Sequence, residues 1–307
     1  MRRVVRFVVS MAVLLVASFA MIHLIPGDPV RAALGPTAPA ALVQQRRADL
    51  GLDDALPVQF GRYLKEVFTG RFGTSFISRQ PVDQIIGTRL VNTLELAAVA
   101  TALALLIAIP LGMLLAVRTE NGRHRGSELT FTAVTGAVAA VPEFLLGVGL
   151  VVVFAVALHW LPPAGRAGPD SYVLPAVALA AGPAAVLARM VRVETLRELG
   201  KDYVRMARAK RLPALRLYAR HLLPNTLTAA LTVGGMVLAS LIAGTVIVEN
   251  VFAWPGLGSK ITESVVSKDY PVAQAVILIY GAFVLTVNLL VDVALAALDP
   301  RSEIGRR

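Results

Sequence analysis

Few side chains in this chain could do covalent chemistry. Its 307 residues include no cysteine, which removes disulfides, thiolate metal sites and thiol redox reactions. His23, His124, His159 and His221 are scattered without the spacing of a metal site. Gly256-Leu-Gly-Ser-Lys260 has the look of a phosphate-cradling loop but lacks the Gly-Lys-Ser/Thr ending. No nucleophile, base and acid set and no His-Glu-x-x-His pair occurs. The chain is therefore not expected to be an enzyme, to hold a cofactor or to hydrolyse ATP itself. What remains is a small set of polar residues inside apolar stretches: Glu143, Ser240, Thr245 and Asp292. A lone charge in a bilayer costs several kcal/mol unless it is paired or hydrated. Glu143, Ser240 and Thr245 are thus candidates for lining a solute path, with helix pairing the competing role for Glu143. Asp292, about two turns from the end of its span, can simply pair with a basic residue.

The elements that must position these residues are membrane helices. The chain is 56% hydrophobic and 16% charged, and several apolar runs of about 20 residues can each cross a hydrocarbon core roughly 30 Å thick. Six spans are expected: Phe7 to Ile25, Thr93 to Val117, Leu129 to Leu158, Val173 to Leu187, Leu227 to Val248 and Val272 to Leu298. The first follows Arg2, Arg3 and Arg6 and is read as an uncleaved helix, because no polar region precedes the signal-like Ser18-Phe19-Ala20. Pro110-Leu-Gly112 should bend the second, and Pro142 should tilt or break the third. Gly234, Gly235, Ala239, Ser240, Ala243 and Gly244 allow close helix contact on the fifth. Between the first two spans, Ala40 to Leu50 reads as a helix stopped by Gly51. Pro57 to Phe68 reads as an amphipathic helix with Phe60, Tyr63, Leu64 and Val67 on one side. Trp254 in the Glu249 to Gly258 loop suits a membrane interface, and Pro255, Gly256 and Gly258 suit a tight turn.

Charge orients the spans. Ten of the 30 Lys and Arg residues crowd between Arg189 and Arg220, and positive loops stay on the cytoplasmic side. With that block inside, 19 basic residues are internal and three lie in the two short external loops. The remaining eight lie in the long segment after the first span, where the charge rule has little force. Both termini are then cytoplasmic. The net charge of +10 does not indicate nucleic acid, because aromatic residues do not interleave with the basic ones. Within the block, Asp202 is a plausible N-cap for one short helix and Pro213 suits the first turn of another.

The residues from Asp202 to Asn225 resemble the cytoplasmic coupling loop of ABC-transporter permeases, in the branch that imports dipeptides, oligopeptides, nickel and glutathione. Ala207 and Leu223-Pro224 match the family core, whereas Arg205, Met206 and Arg211 replace its Glu, Ala and Gly. A turn needing positive φ at Arg211 would cost about 1 to 2 kcal/mol. Further resemblance lies in His23-Leu-Ile-Pro-Gly-Asp-Pro-Val30, in Leu50 to Phe60, in Gly70-Arg-Phe-Gly-Thr-Ser75 and in Asn288 to Arg301. The most specific string is Glu249-Asn-Val-Phe-Ala-Trp-Pro-Gly-Leu-Gly258.

This resemblance implies an all-α integral membrane fold with six transmembrane helices of the type I ABC importer kind. The implied divisions are 1–25, an extracytoplasmic subdomain at 26–92, a five-helix core at 93–298 containing the coupling loop 189–226, and a tail at 299–307. It implies a bacterial or archaeal inner-membrane permease subunit that forms the path for a peptide or related solute. Its partners would be a second homologous permease, two cytoplasmic ATPases carrying ATP and Mg, and an extracytoplasmic solute-binding protein. Tyr203, Arg205, Met206, Ala207, Arg208, Lys210 and Arg211 would make the ATPase contact, with Met206 and Ala207 at its centre. Glu249, Trp254, Pro255 and Gly256 would form an external loop near the binding protein. The rival reading is a secondary transporter or channel working without an ATPase, but the inverted repeats and multiple intramembrane charges of such proteins are not evident. An intramembrane enzyme would need a polar set at one depth, and none is visible.

Overall fold

The computed structural model describes residues 2–24, 28–35, 37–49 and 51–298, with the side chains at 2, 22–24, 29, 32–33, 227–240 and 294–298 outside the description. Pro26 and Gly27 of the Pro-Gly-Asp-Pro string, Leu50 and the tail from 299 also lie outside it. The described chain is helical, apart from connections and one isolated bridge between Thr74 and Pro81. It divides into two compact units, Met1–Leu94 with Pro255–Thr286, and Glu95–Trp254 with Val287–Arg307.

The first unit begins with α1 (Arg2–Leu24), whose Val4, Val5, Val8, Val9, Val13 and Val16 face outward, as suits a lipid environment. Its inner side meets α13 (Tyr270–Leu298): Ser18 Oγ donates to the Gln274 carbonyl at 3.0 Å, and a Cβ at Gly281 would lie 2.8 Å from Leu14. Asp28 caps α2 (Pro29–Leu34) by accepting from the Val30 and Arg31 amides and pairs with Arg47 at 3.0 Å. The helix expected from Ala40 is α3 (Ala40–Asp49), and the amphipathic one is α4 (Leu56–Thr69). Phe60 and Tyr63 of α4 pack on Phe19 of α1, with ring centroids 5.1 and 5.7 Å away. Gly70 ends α4 at φ 68°, a left-handed cap that residues with a Cβ rarely adopt.

Two features of this unit differ from the sequence expectation. The second span's helix, α5 (Val82–Arg118), starts well before Thr93; at 1.5 Å per residue its 37 residues reach about 55 Å. Gly258 is not part of a turn but belongs to α12 (Leu257–Val266), a ten-residue helix that starts from the extended Gly256. Asn92 Nδ2 donates to the Pro255 carbonyl at 2.7 Å, and the Leu257 amide donates to Thr93 Oγ1 at 2.8 Å.

The second unit is built on α8 (Val173–Leu199), packed against α6 (Arg125–Ala140), α7 (Glu143–Leu150) and α11 (Leu223–Val251). Buried alanines at 176, 178, 180, 184, 185 and 188 let neighbouring backbones come close. Gly112 on α5 makes the tightest approach: a Cβ there would lie 2.6 Å from the Ala188 carbonyl oxygen. The helix is continuous through Pro110, so the Pro110-Leu-Gly112 string supplies clearance within one helix. The fourth span does not stop at Leu187; α8 runs on to Leu199 and absorbs the first turns of the basic block.

Among the described residues, four helices are long and apolar enough to cross a membrane, at Arg3–Met21, Val82–Arg118, Pro169–Leu199 and Tyr270–Val293. The third expected span is broken at Val141 and Pro142 into two apolar segments bent by 95°, the geometry of a broken span or a re-entrant loop. Beyond α7 it continues in wide i→i+5 turns over Val151–Ala157. The remaining expected span, Leu227 to Val248, lies within α11, 29 residues long.

Candidate functional site: the basic block and the broken span

The basic block folds into α9 (Asp202–Ala209), a turn, and α10 (Ala214–Arg216), which continues in wide turns over Leu217–Leu222. Lys201, extended at φ −78° and ψ 153°, caps α9, so Asp202 is its first helical residue and not its N-cap. Pro213 occupies the capping position of α10. Arg211 sits at φ 53°, the left-handed value that the family glycine would accept without strain.

α9 is amphipathic, and its apolar side turns inward. Val204 and Ala207 are buried with Leu199, Leu217 and Leu222, and Met113, Val117, Leu196 and Tyr203 pack on them. Ala207 was expected at the centre of a partner contact; it is instead covered by its own chain, because three residues of helix put it on the same side as Val204. Met206 points the other way and is 63% exposed, and on α10 Leu215 is 81% exposed. Leu215 was not singled out from sequence, although an apolar residue between Arg211 and Arg216 was the available signal.

Half of the ten basic side chains are internally paired. Arg208 makes a bidentate pair with Glu120, at 2.9 and 2.8 Å, which strengthens its hold on its proton. Arg192 pairs with Glu128 at 2.8 Å and donates to Thr119 Oγ1 at 3.1 Å. Arg197 meets Glu194, Lys201 meets Glu198 and Arg205 meets Asp202. Tyr203 Oη donates to Glu198 Oε2 at 2.8 Å; burial and this carboxylate both push the phenol up from its ordinary range. Among the described residues, Lys210, Arg211, Arg216 and Arg220 make no ion pair, and all four are exposed on the same stretch of chain as Met206 and Leu215.

Glu143 is the first residue of α7, immediately after the break. Its carboxylate lies against Gly244 of α11, where an added Cβ would be 2.6 Å from Oε2. It also borders a cavity of about 340 Å³, together with Ala139, Leu179, Gly182 and Pro183. Among the described residues Glu143 makes no hydrogen bond or ion pair. Thr245, next along α11, is fully buried and donates to the Ile242 carbonyl at 2.9 Å. Ser240 lies outside the described side chains. Asp292 is exposed near the end of α13.

The expected external loop is largely interior. Glu249 and Trp254 are fully buried, so Trp254 is a core residue and not an interfacial one. The Tyr172 ring stands edge-on to the indole at 4.6 Å, and Tyr172 Oη and Arg166 Nη2 both donate to Glu95 Oε2 at 2.6 Å. The burial follows from aromatic packing that span-end position alone does not reveal.

The family model described as "Binding-protein-dependent transport system inner membrane component" matches residues 108–304, and its N-terminal companion matches residues 1–97. The chain is 37% identical over 301 residues to the glutathione transport system permease protein GsiC of Salmonella paratyphi A, covering 98% of this chain and 97% of that protein. It is 38% identical over 299 residues to GsiC of Pectobacterium atrosepticum, covering 97% and 96%. Among solved structures, an inward-facing form of the MetNI methionine ABC transporter matches 70% of this chain and 97% of its own, at 20% identity and a TM-score of 0.59. That likeness concerns the fold. The chain belongs to the family of binding-protein-dependent transport system inner membrane components, as a permease subunit of an ABC importer.

Proposed function

We propose that this permease carries short peptides of the glutathione class across a bacterial or archaeal inner membrane, with both termini cytoplasmic. In this reading it works beside a second homologous permease and receives solute from an extracytoplasmic binding protein. Two cytoplasmic ATPases, which carry ATP and Mg, drive it through α9 and α10. Whole-length similarity to glutathione permeases supports the solute class.

One observation carries the coupling assignment: Met206 and Leu215 are exposed on short helices that are otherwise anchored by a buried cluster, and the exposed cations Lys210, Arg211, Arg216 and Arg220 lie on the same stretch of chain. An exposed apolar pair rimmed by charge is the make-up of a protein contact, with the apolar residues at its centre and charge at its rim. The unpaired cations suit an acidic groove. The test is purification of the complex carrying Met206→Asp and Leu215→Asp. Loss of the ATPases with normal membrane insertion is expected, since an unpaired charge in an interface core costs about 2 to 5 kcal/mol. Full ATPase association and normal ATP-driven glutathione uptake in the double variant would overturn the assignment, and uptake by the chain without any ATPase would overturn the whole reading.

A further inference from the structure

The first unit contains a cavity of about 280 Å³ between α4, the 72–76 segment and the start of α13. Phe72 and Phe76 give it apolar walls, and the Glu66 carboxylate adjoins it. Its polar groups are unusual. The Tyr270 hydroxyl and the Gln274 side-chain nitrogen are both buried, and among the described residues neither has a hydrogen-bond partner. Tyr270 as a whole is only 2% exposed. Tyr63, a buried residue beside Ser18, lines the same space with a second hydroxyl. Buried donors in native proteins nearly always find acceptors, so two of them on residues that line one cavity call for an occupant that accepts hydrogen bonds.

The chemistry narrows the occupant. Among the described residues no Lys or Arg lines the cavity, so a carboxylate would enter without a counter-charge, whereas a neutral carbonyl would not need one. Among the described residues that line it, the one charge is negative, at Glu66, which suits an ammonium although Arg62 acts on the same carboxylate. The volume lies just below the usual range for small-molecule sites and fits a residue or two.

We propose that this cavity binds the amino-terminal end of a short peptide, a site on the permease outside the broken span. The first carbonyl accepts from Tyr270 Oη and Gln274 Nε2, the first side chain lies against Phe72 and Phe76, and the ammonium meets Glu66. The choice of a peptide rests on the transport reading above; the cavity and its unpaired donors do not.

The full-length permease in lipid nanodiscs, without ATPases or binding protein, is titrated with alanyl-phenylalanine and with its N-acetyl derivative. Binding is read by saturation-transfer NMR, and stability by the thermal midpoint. Saturable binding of the free peptide is expected, with the acetylated form about ten-fold weaker. Tyr270→Phe should leave the midpoint of the peptide-free protein unchanged or raised, because it deletes an unpaired hydroxyl, and should weaken free-peptide binding about ten-fold. Glu66→Gln should weaken the free peptide but not the acetylated one. Absence of saturable binding, equal affinity for the two peptides, or unchanged affinity in Tyr270→Phe would overturn the proposal and leave a cavity that holds water only. A lowered midpoint for peptide-free Tyr270→Phe would overturn it too. Because no ATPase is present, failure of ATP-driven uptake elsewhere would overturn the transport reading without altering these titrations.

Discussion

Ser75 and Asp269, 194 residues apart, are hydrogen-bonded inside the first unit. The Ser75 hydroxyl donates to Asp269 Oδ2 and accepts from the Ile77 and Ser78 amides, while the Phe76 amide donates to Asp269 Oδ1 at 3.0 Å. The last residue of Gly70-Arg-Phe-Gly-Thr-Ser75 therefore holds its loop to the junction between α12 and α13. Ser75→Ala leaves three of these groups without their partner. A loss of about 1 to 3 kcal/mol is expected, read as a lower thermal midpoint and faster protease cutting at 70–80. An unchanged midpoint and cutting rate would show that the contact is idle.

The Arg208 to Glu120 pair changes what a charge deletion means in the coupling region. Because Arg208 is held by its own chain, Arg208→Ala and Glu120→Gln should act through the same interaction. Each should lower stability by about 0.2 to 1 kcal/mol, less at high salt, and the double variant should cost no more than the larger single one. Strict additivity in a double-mutant cycle would refute the pairing. Arg216→Ala and Arg220→Ala, by contrast, should leave stability unchanged and weaken ATPase association in a salt-dependent way.

Gly244 is needed where Glu143 sits. Gly244→Ala would drive a methyl into the carboxylate and Leu179, with an expected cost of about 1 to 3 kcal/mol in assembly or thermal stability. Glu143→Gln keeps the shape and should insert normally while altering uptake. Wild-type uptake in Glu143→Gln would remove the carboxylate from the solute path.

Arg211 carries backbone strain. Arg211→Gly releases it but adds freedom to the unfolded chain, so a gain of less than about 1 kcal/mol is expected, with coupling intact. A fall in the thermal midpoint would show that the Arg211 side chain contributes more than its φ costs.

Asp28 supplies a pH dependence. Burial opposes its charge, but the Arg47 guanidinium and the Val30 and Arg31 amides hold its carboxyl below its ordinary value. A depressed folded value means that this contribution is full above about pH 4 and is lost as pH falls through the folded value. Asp28→Asn should lower stability at neutral pH and flatten the acid limb of the stability profile, so that the two proteins converge at low pH, as followed by thermal unfolding between pH 2 and 7. Parallel acid limbs for the two proteins would refute the linkage.

Much of the architecture was legible in residue order. α3, α4 and the spans follow from apolar period and from stops such as Gly51 and Gly70, which are local signals. The left-handed turn at Arg211, at φ 53°, follows from the family glycine that Arg211 replaces. What failed needed three dimensions. Trp254 reads as interfacial until the Tyr172 ring covers it, and Gly258 reads as a turn until α12 is seen to start there. The role of Ala207 turned on which side of α9 faces the core, although Val204 three residues earlier marked that side. The Ser75 to Asp269 bond and the unpaired Tyr270 hydroxyl leave no trace in spacing, since their elements meet only after folding.

The cluster beneath α9 has a mechanical consequence. Val204 and Ala207 are packed onto Leu199 at the end of α8 and onto Met113 and Val117 near the end of α5, with no soft layer between. Close-packed interiors compress little, so a push delivered at Met206 is not dissipated in the short helix that receives it. If the proposed ATPase contact is made there, the helix would work as a stiff tooth set into a beam, and a thrust at the tooth would emerge as displacement of α8 and α5.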